Sequence, residues 1–344
     1  MEPVGSPDLD AVLQLIEERR RNAVVDLVRS AARDDGFDEA IGLLAAAQVE
    51  NGLRWQTSRW SVAAEHAATA IVDLALSAVA LDIAVALDTE RAPPPLATIV
   101  VACAEEEWHV LPARMLAEQL RPGGWEVVFL GASTPADHLG SFLHRIRPAA
   151  AAISCSVPAF LPGAARSVAA CHAAGTPVVV GGAAFGASAA RAAAVGADAW
   201  ATTADGVASI VATWVKAPPT LAAPPGPDRA LLALAAERSD IVDAAIPVLI
   251  SRFPELGGDP PERLDAIRDD LRYAMRFVEA ALLTGDDSIV VDYGRWLSSV
   301  SASQDLPSGL VATGMRVLSE RTPARFTGAR RLLDAAAGAV DGDD

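Results

Sequence analysis

The chain has 344 residues, of which 51% are hydrophobic, 21% are charged and 5% are aromatic. This length allows two or three domains with buried cores, and the hydrophobic fraction excludes an intrinsically disordered chain. The formal net charge of -16 argues against direct nucleic-acid binding, which requires a basic surface.

The cellular setting is predicted from the first residues, the apolar runs and the cysteines. The N-terminal residues are acidic, so no signal peptide is expected, and no apolar run is expected to be long and uncharged enough to span a bilayer. Cys103, Cys155 and Cys171 show neither a pairing pattern nor a zinc-ligand spacing. A cytoplasmic, reducing location without membrane contact is therefore expected, with the cysteines as small buried side chains.

Residues 1–92 are predicted to form an N-terminal four-helix bundle. Apolar residues recur at helical spacing in four stretches, the last of which, Trp60–Leu87, is apolar almost throughout. In this segment Trp55 is followed, after nine residues, by Glu65 and His66. A Glu–His pair on an alanine-rich helix is costly to bury without partners. It is therefore expected either on the outer face of the helix or against a ligand.

Residues 95–216 are predicted to form a flavodoxin-like, doubly wound parallel sheet. Five short apolar runs alternate with helical patterns, which is typical of repeated βαβ units. The predicted strands are Thr98–Cys103, Trp125–Leu130, Ala149–Cys155, Pro177–Gly181 and Ala197–Thr202. The expected strand order is 2-1-3-4-5, and ligands of such sheets bind beyond the carboxyl ends of the strands, at the switch point between strands 1 and 3.

Three loops with polar or glycine residues are expected to meet at this switch point. In the first loop, His109 can bind a metal while Glu107 orients its other ring nitrogen. The second loop offers serine hydroxyls to a base or phosphate, and the glycines of the third allow close approach of a flat group. Taken singly, each feature is also typical of ordinary loop residues. The candidate residues are Glu107, Trp108, His109, Val110, Ser154, Ser156, Gly181 and Gly182.

The first loop resembles the Asp-x-His-x-x-Gly signature of cobalamin-binding domains. Here it appears as Glu107-x-His109-x-x-Pro112, so that glutamate replaces the usual aspartate and proline replaces the usual glycine. The resemblance implies that His109 is the lower axial ligand of cobalt. It also implies that the loops of Ser154 and of Gly181-Gly182 lie beside the tail of the cofactor.

The spacing of Trp55, Glu65 and His66 resembles the Trp-x9-Glu-His motif of light-sensing cobalamin photoreceptors, which are best known behind a MerR-type DNA-binding domain. This resemblance implies adenosylcobalamin, with Trp55 packed on the adenosyl group and Glu65 hydrogen-bonded to it. It further implies that His66 binds cobalt as the upper axial ligand after light expels the adenosyl group. No DNA-binding domain is visible in the sequence, so a direct transcriptional role is not expected.

A Pro-rich linker is predicted at residues 217–228, followed by an all-helical, globin-like domain at residues 229–344. This domain contains no His and no Cys, which excludes a haem with a proximal histidine and a bilin linked to a local cysteine. Its clustered arginine and aromatic residues indicate either two amphipathic helices with extended arginines or a slot for a flat dicarboxylate chromophore. These residues are Arg272, Tyr273, Arg276, Tyr293, Arg295 and Trp296.

The order of the three domains resembles that of photocobilins, in which a helical domain after the cobalamin module holds biliverdin. The resemblance implies a light-sensing photoreceptor with adenosylcobalamin and a second, non-covalent biliverdin chromophore. Signalling is expected through changed domain contacts or through assembly as a homo-oligomer, a dimer or tetramer, with an unknown downstream protein.

Two alternatives remain open at the level of the sequence. One is a corrinoid methyl carrier of a methyltransferase system, and the other is a cobalamin sensor that does not respond to light. No catalytic nucleophile or acid–base pair stands out, so the chain is not expected to be an enzyme.

Overall fold

The computed structural model describes residues 7–87, 94–221, 228–258, 261–304 and 306–342. Residues 222–227 of the predicted linker at 217–228 therefore lie outside the described residues.

The N-terminal segment is a bundle of four helices, as predicted. They are α1 Pro7–Glu17, α2 Arg21–Asp34, α3 Phe37–Gln56 and α4 Val62–Leu87. Val24, Leu44 and Leu76 lie fully buried between them, at the positions of the helical apolar pattern. The start of α4 is fixed by Ser61, whose hydroxyl accepts a hydrogen bond from the backbone N–H of Ala64 at 3.2 Å.

Helix α4 is long and apolar enough to cross a membrane by length and composition alone, and it is the one such helix in the described ranges. The sequence prediction that no such run exists is therefore wrong on this point. Only 28% of its most apolar window is buried. A core helix of a bundle meets the same criterion, and Val72, Leu76 and Val79 of α4 pack in the core of this one.

The middle domain is a five-stranded parallel sheet with the predicted order β2-β1-β3-β4-β5. Its strands are β1 Thr98–Cys103, β2 Glu126–Gly131, β3 Ala150–Ser154, β4 Val178–Gly181 and β5 Ala199–Trp200. Strand β5 is shorter than predicted because only its two residues pair with β4. The helices of this domain are α5 Val110–Leu120, α6 Ala136–Ile146, α7 Leu161–Ala173, α8 Ala190–Ala194 and α9 Ala204–Lys216.

The C-terminal domain is all-helical, which completes the predicted fold class. Its helices are α10 Arg229–Arg252, α11 Pro261–Thr284, α12 Ser288–Ser303, α13 Leu310–Arg321 and α14 Thr327–Asp341. Helix α10 joins two apolar runs that the sequence shows as separate, and it continues through Pro247.

The two helical domains pack against different parts of the sheet domain. The bundle packs on α5, whose Leu111 and Met115 belong to the bundle core. The C-terminal domain shares one continuous core with the other side of the sheet, where Phe160 and Leu161 at the start of α7 join Phe277 of α11. The helical domains also meet each other, because the Trp55 and Trp296 rings lie 6.0 Å apart.

Candidate functional site

The loop after β1 is built around the buried carboxylate of Glu107, which has no exposed surface. One carboxylate oxygen lies 2.6 Å from Nδ1 of His109 and accepts the backbone N–H of the same residue at 2.9 Å. The other oxygen accepts the backbone N–H groups of Ser156 at 2.7 Å and Val157 at 3.0 Å. Since a carboxylate only accepts, Nδ1 carries the proton and Nε2 is left for a metal.

The electrostatics of this pair favour the charged forms of both groups. Burial raises the pKa of the Glu107 carboxyl, but the hydrogen bonds from His109 and Ser156 outweigh it, so the pKa lies below its ordinary value. The hydrogen bond to Glu107 raises the pKa of His109 above its ordinary value, although burial opposes it. A metal at Nε2 then displaces a proton whenever the imidazole is charged.

The exposed surface of this loop suits a large ligand. The His109 side chain is 61% exposed, and Trp108 is 70% exposed. Val110 begins α5 and is half-buried. The exposed imidazole, its bonded Nδ1 and the bare indole therefore fit a corrin ring that lies over this loop.

A crevice of about 180 Å³ opens beside the loop, at the carboxyl ends of β3 and β4. Ser154, Gly181 and Gly182 line it, together with residues of α5 and α9. The Ser156 side chain does not line this crevice, and its residue contributes the backbone N–H bonded to Glu107. The crevice has the position expected for the tail of the cofactor.

The glycines of the crevice are also required by packing alone. A Cβ on Gly182 would lie 2.3 Å from the Cys155 carbonyl oxygen, and one on Gly181 would lie 2.7 Å from the Ala201 carbonyl oxygen. Gly182 further adopts φ of 105°, which side chains disfavour. The pair is therefore compatible with a ligand but does not by itself indicate one.

The upper candidate residues sit at the end of α3 and the start of α4. Glu65 is held by Thr69, whose hydroxyl donates to Oε1 at 2.5 Å, and by the Gln48 amide at 3.3 Å. Its Oε2 lies 3.7 Å from His66, whose side chain is 74% exposed. The Glu65 charge is near enough to His109 to raise the pKa of that imidazole. The bundle thus places the Glu65 carboxylate near the His109 loop, with the exposed His66 imidazole beside it.

A larger cavity of about 560 Å³ joins this region to the C-terminal domain. Trp55 and His109 form one wall. Helices α11 and α12 form the other, and Phe160 lies between them. The residues contributed by α11 and α12 are Asp270, Tyr273, Phe277, Ile289, Asp292, Tyr293 and Trp296. This volume lies within the range of about 300–1,000 Å³ that is typical of small-molecule sites.

Aromatic rings form a continuous chain along the cavity wall. Trp55 lies against Trp296 at 6.0 Å, Trp296 lies 5.8 Å from Tyr293, and Tyr293 stacks on Phe277 at 4.1 Å. Tyr273 meets Phe160 edge-on at 6.3 Å. Such a surface is suited to a flat conjugated ligand. This row of rings also places Trp55, the residue predicted to cover the adenosyl group, in contact with the C-terminal domain.

The predicted arginine contacts of a bilin lie elsewhere. Arg272 and Arg295 project to the surface, where they face Asp269 at 2.9 Å and Asp292 at 4.0 Å on their own helices. Arg276 is paired with Glu106 of the sheet domain at 2.6 Å. Each of these arginines directly precedes an aromatic residue that lines the cavity. Successive residues of a helix point about 100° apart, so the arginines point away from the faces of α11 and α12 that carry the aromatic rings.

Several cavity residues were missed by the sequence analysis, although a signal for them exists. The spacings 270, 273, 277 on α11 and 289, 292, 293, 296 on α12 are those of single helical faces. Extending the face of Tyr273 by four positions gives Phe277, and extending that of Tyr293 back by four gives Ile289. No comparable signal marks Arg191, which reaches the cavity from α8.

Three family models match consecutive parts of the chain. Residues 9–80 and residues 97–210 each match a B12 binding domain. Residues 229–339 match a phycobilisome protein. The matches support a cobalamin-binding protein with a bilin-type C-terminal domain. No curated protein matches the chain as a whole.

Solved structures with a similar arrangement are corrinoid proteins. The chain is 14% identical to the monomethylamine corrinoid protein of Methanosarcina barkeri, with a TM-score of 0.49 over 60% of this chain and 97% of that one. It is 22% identical to a cobalamin-binding protein of Desulfitobacterium hafniense, with a TM-score of 0.34 over 61% and 99%. It is 14% identical to a chain of the methanol:cobalamin methyltransferase complex of Methanosarcina barkeri, with a TM-score of 0.34 over 62% of this chain and 81% of that one. These likenesses are too weak to support an inference about function.

Proposed function

We propose that the protein is a light sensor that holds adenosylcobalamin between the bundle and the sheet domain, and a linear tetrapyrrole such as biliverdin in the C-terminal cavity. One observation carries the proposal: Trp55 and His109, on the cobalamin side, line the same cavity as Tyr273, Tyr293 and Trp296 of the bilin-type domain. An event at one ligand then has a direct physical path to the other.

The lower side of the cobalamin site is rigid in this account. His109 offers Nε2 to cobalt while Glu107 holds Nδ1, which is the second-sphere arrangement of many metal-bound histidines. The crevice at Ser154 and Gly182 would take the tail. When bound, adenosylcobalamin supplies a cobalt–carbon bond that visible light breaks.

The upper side has the features of a two-state element. Thr69 and Gln48 fix Oε1 of Glu65, which leaves Oε2 for a hydroxyl of the adenosyl group. His66 is exposed and has only a 3.7 Å contact with Glu65, so it is free to move toward cobalt when the upper ligand leaves. Trp55 would then change its packing on Trp296 and shift the domain contacts, which biases one of two conformations.

The C-terminal cavity suits a non-covalent tetrapyrrole. Its wall is mainly aromatic, and the cysteines of the chain lie at positions 103, 155 and 171, outside this domain. Asp270 is among the residues that line the cavity. Burial raises the pKa of Asp270 to about 7. A group poised near neutrality accepts a hydrogen bond from a pyrrole N–H when it is ionised.

The methyl-carrier alternative makes a different demand on the upper face of cobalamin. A carrier has to present that face to the active site of a second enzyme. Here Trp55, at that face, packs on Trp296 of the same chain, which favours the sensor. A cobalamin sensor without light response would share the whole site and is separated from our proposal by experiment alone.

The test is the absorption spectrum of the purified chain with adenosylcobalamin, in the dark and after illumination. We expect a spectrum of cobalamin with histidine below in the dark, and a stable bis-histidine spectrum after light. His66→Ala should keep dark affinity within about twofold, because the residue touches no other part of the site, and should abolish the stable light product. A light response identical to that of free cofactor would contradict the sensor, and equal binding of methylcobalamin would then favour the carrier.

A further inference from the structure

Three consecutive glutamates follow β1, and each reaches a different part of the molecule. Glu107 turns inward to His109. Glu105 forms an ion pair with Arg166 of α7 and accepts the backbone N–H of Ala136 at 3.2 Å. Glu106 turns outward to Arg276 of α11, whose Nη1 lies 2.6 Å from its carboxylate. The loop that carries the axial histidine is therefore held from the C-terminal domain as well as from its own domain.

The backbone at Glu106 needs this external support. Its φ is 72°, in the left-handed region that residues with a side chain disfavour. The strain is offset by contacts from outside the loop. Ser133 accepts the Glu106 backbone N–H at 3.2 Å and donates its own backbone N–H to the Glu107 carbonyl at 2.8 Å. Arg166 of α7 lies 3.7 Å from the Glu106 carboxylate. Among the described residues, the ion pair with Arg276 is the contact that the C-terminal domain contributes.

Arg276 itself lies between the loop and the cavity. Its side chain is only 24% exposed, so its charge is less screened than that of a surface arginine. Its guanidinium lies 5.8 Å from the Phe160 ring centre, and Phe160 packs edge-on against Tyr273 in the cavity wall. A ligand that moves Tyr273 or Phe160 therefore also shifts the Arg276 guanidinium, and this shift changes the ion pair of Arg276 with Glu106.

We propose that Arg276 is a positioning residue for cobalt ligation, which acts on His109 through Glu106 and makes the strength of that ligation depend on the C-terminal domain. The inference rests on the cobalamin binding of the proposed function but not on its light response. Because such coupling is reciprocal, cobalamin binding at His109 also changes the affinity of the C-terminal cavity for its ligand.

The test compares Arg276→Gln and Glu106→Gln with two controls that remove the same charge from ion pairs that do not touch the loop. Arg268→Gln breaks a partly buried pair of the same helix α11, in which Arg268 lies 3.4 Å from Asp243 of α10. Arg252→Gln breaks an exposed pair with Glu320 at 2.8 Å. The Arg268 control matches the loss of an ion pair from α11, and the Arg252 control matches the change of net charge.

The main readout is the fraction of bound cob(II)alamin that shows axial-nitrogen splitting in its electron paramagnetic resonance spectrum. We expect Arg276→Gln and Glu106→Gln to lower this fraction by at least one third and to weaken cobalamin binding three- to tenfold. Both controls should keep the wild-type fraction. The double variant R276E/E106R restores the ion pair with reversed polarity and should recover most of the fraction.

A second readout needs no cofactor. Hydrogen exchange of the backbone amides at residues 105–109 should be at least threefold faster in Arg276→Gln than in either control. Unchanged exchange and an unchanged nitrogen-bound fraction in a folded Arg276→Gln protein would overturn the proposal, and so would an Arg268→Gln protein whose exchange and nitrogen-bound fraction change as much. If the chain bound no cobalamin, the exchange comparison would still decide the coupling, so failure of the proposed function remains distinguishable.

Discussion

The buried carboxyl group of Glu107 and the half-buried one of Asp270 belong to the two sides of the shared cavity region, and their surroundings differ. Glu107 receives hydrogen bonds from His109, Ser156 and Val157, and these lower its pKa in spite of its burial. Asp270 has no side-chain hydrogen bond or ion pair among the described residues, and burial raises its pKa to about 7. Glu107 therefore already has the partners that keep it ionised and can support a metal ligand, whereas Asp270 lacks a partner that would stabilise its charge.

This difference indicates how the two ligands are held. The cobalamin side is organised before binding, because the proton of Nδ1 and the direction of Nε2 are set by Glu107. The bilin side supplies shape and aromatic surface, and leaves its polar contact to be completed by the ligand. Substitutions at the two sites should therefore have different signatures.

The largest effect is expected from substitution of Glu107. Glu107→Gln removes the charge that orients His109 and leaves an amide donor facing the backbone N–H of Ser156. Loss of such a support typically weakens metal affinity by about 10- to 100-fold, and we expect cobalamin affinity to fall in this range by spectral titration. Glu105→Gln removes the same charge two positions earlier in the loop and should weaken cobalamin binding less than fivefold. Equal losses would show that the loop is merely destabilised.

A smaller effect is expected at Asp270, where the ionised carboxyl group lowers the stability of the fold instead of supporting a metal ligand. The pKa of Asp270 is raised from 3.8 to about 7 by burial, so the folded state keeps a proton that the unfolded state loses. Stability therefore falls as the pH rises from about 4 to about 7. Between pH 5 and pH 8 this loss amounts to roughly 2–3 kcal/mol, at 1.36 kcal/mol per pKa unit.

Asp270→Asn should remove that part of the pH dependence. Urea unfolding of the ligand-free chain at pH 5 and pH 8 measures it, with Asp265→Asn, an exposed carboxylate of the same helix α11, as the matched control. A variant whose stability changes with pH as much as the wild type would contradict the assignment.

The smallest effect concerns the upper side of cobalamin. Thr69→Val keeps the volume but removes the hydroxyl that donates to Glu65 at 2.5 Å. A hydrogen bond to a charged group contributes about 1.5–3 kcal/mol to stability. Only the part of it that orients Glu65 toward the adenosyl group affects binding, so adenosylcobalamin affinity should fall about fivefold while methylcobalamin affinity stays constant. Thr57→Val, whose hydroxyl bonds only backbone carbonyls of its own helix, is the control. An equal loss for both cobalamins would indicate a general effect on the bundle.

The parts of the molecule that depend on local patterns were predictable from the sequence. The apolar runs gave the strand order, and the Glu107–His109 spacing placed an imidazole beside a carboxylate at a strand end. The burial of Glu107 and its bonds to residues 156 and 157 were not predictable, because they depend on the crossing of two loops.

The C-terminal site was predicted less well for a similar reason. Its aromatic residues were found, but the face of α11 that meets the sheet domain depends on packing between domains. Arg276 therefore seemed a ligand contact, whereas its partner Glu106 lies 170 positions away. Helix α10 was divided in two because Arg238, Asp240 and their neighbours interrupt its apolar face, although tertiary packing keeps the helix continuous.

The shared cavity is tested most directly by the absorption band of biliverdin bound to the chain. The band is recorded without cobalamin, with adenosylcobalamin in the dark, and after illumination with light that cobalamin absorbs and biliverdin does not. Because Trp55 and Trp296 connect the two sites, we predict a shifted band on cobalamin binding and a second shift after illumination, the latter lost in Trp296→Leu. A biliverdin band that is identical in all three conditions would contradict the account.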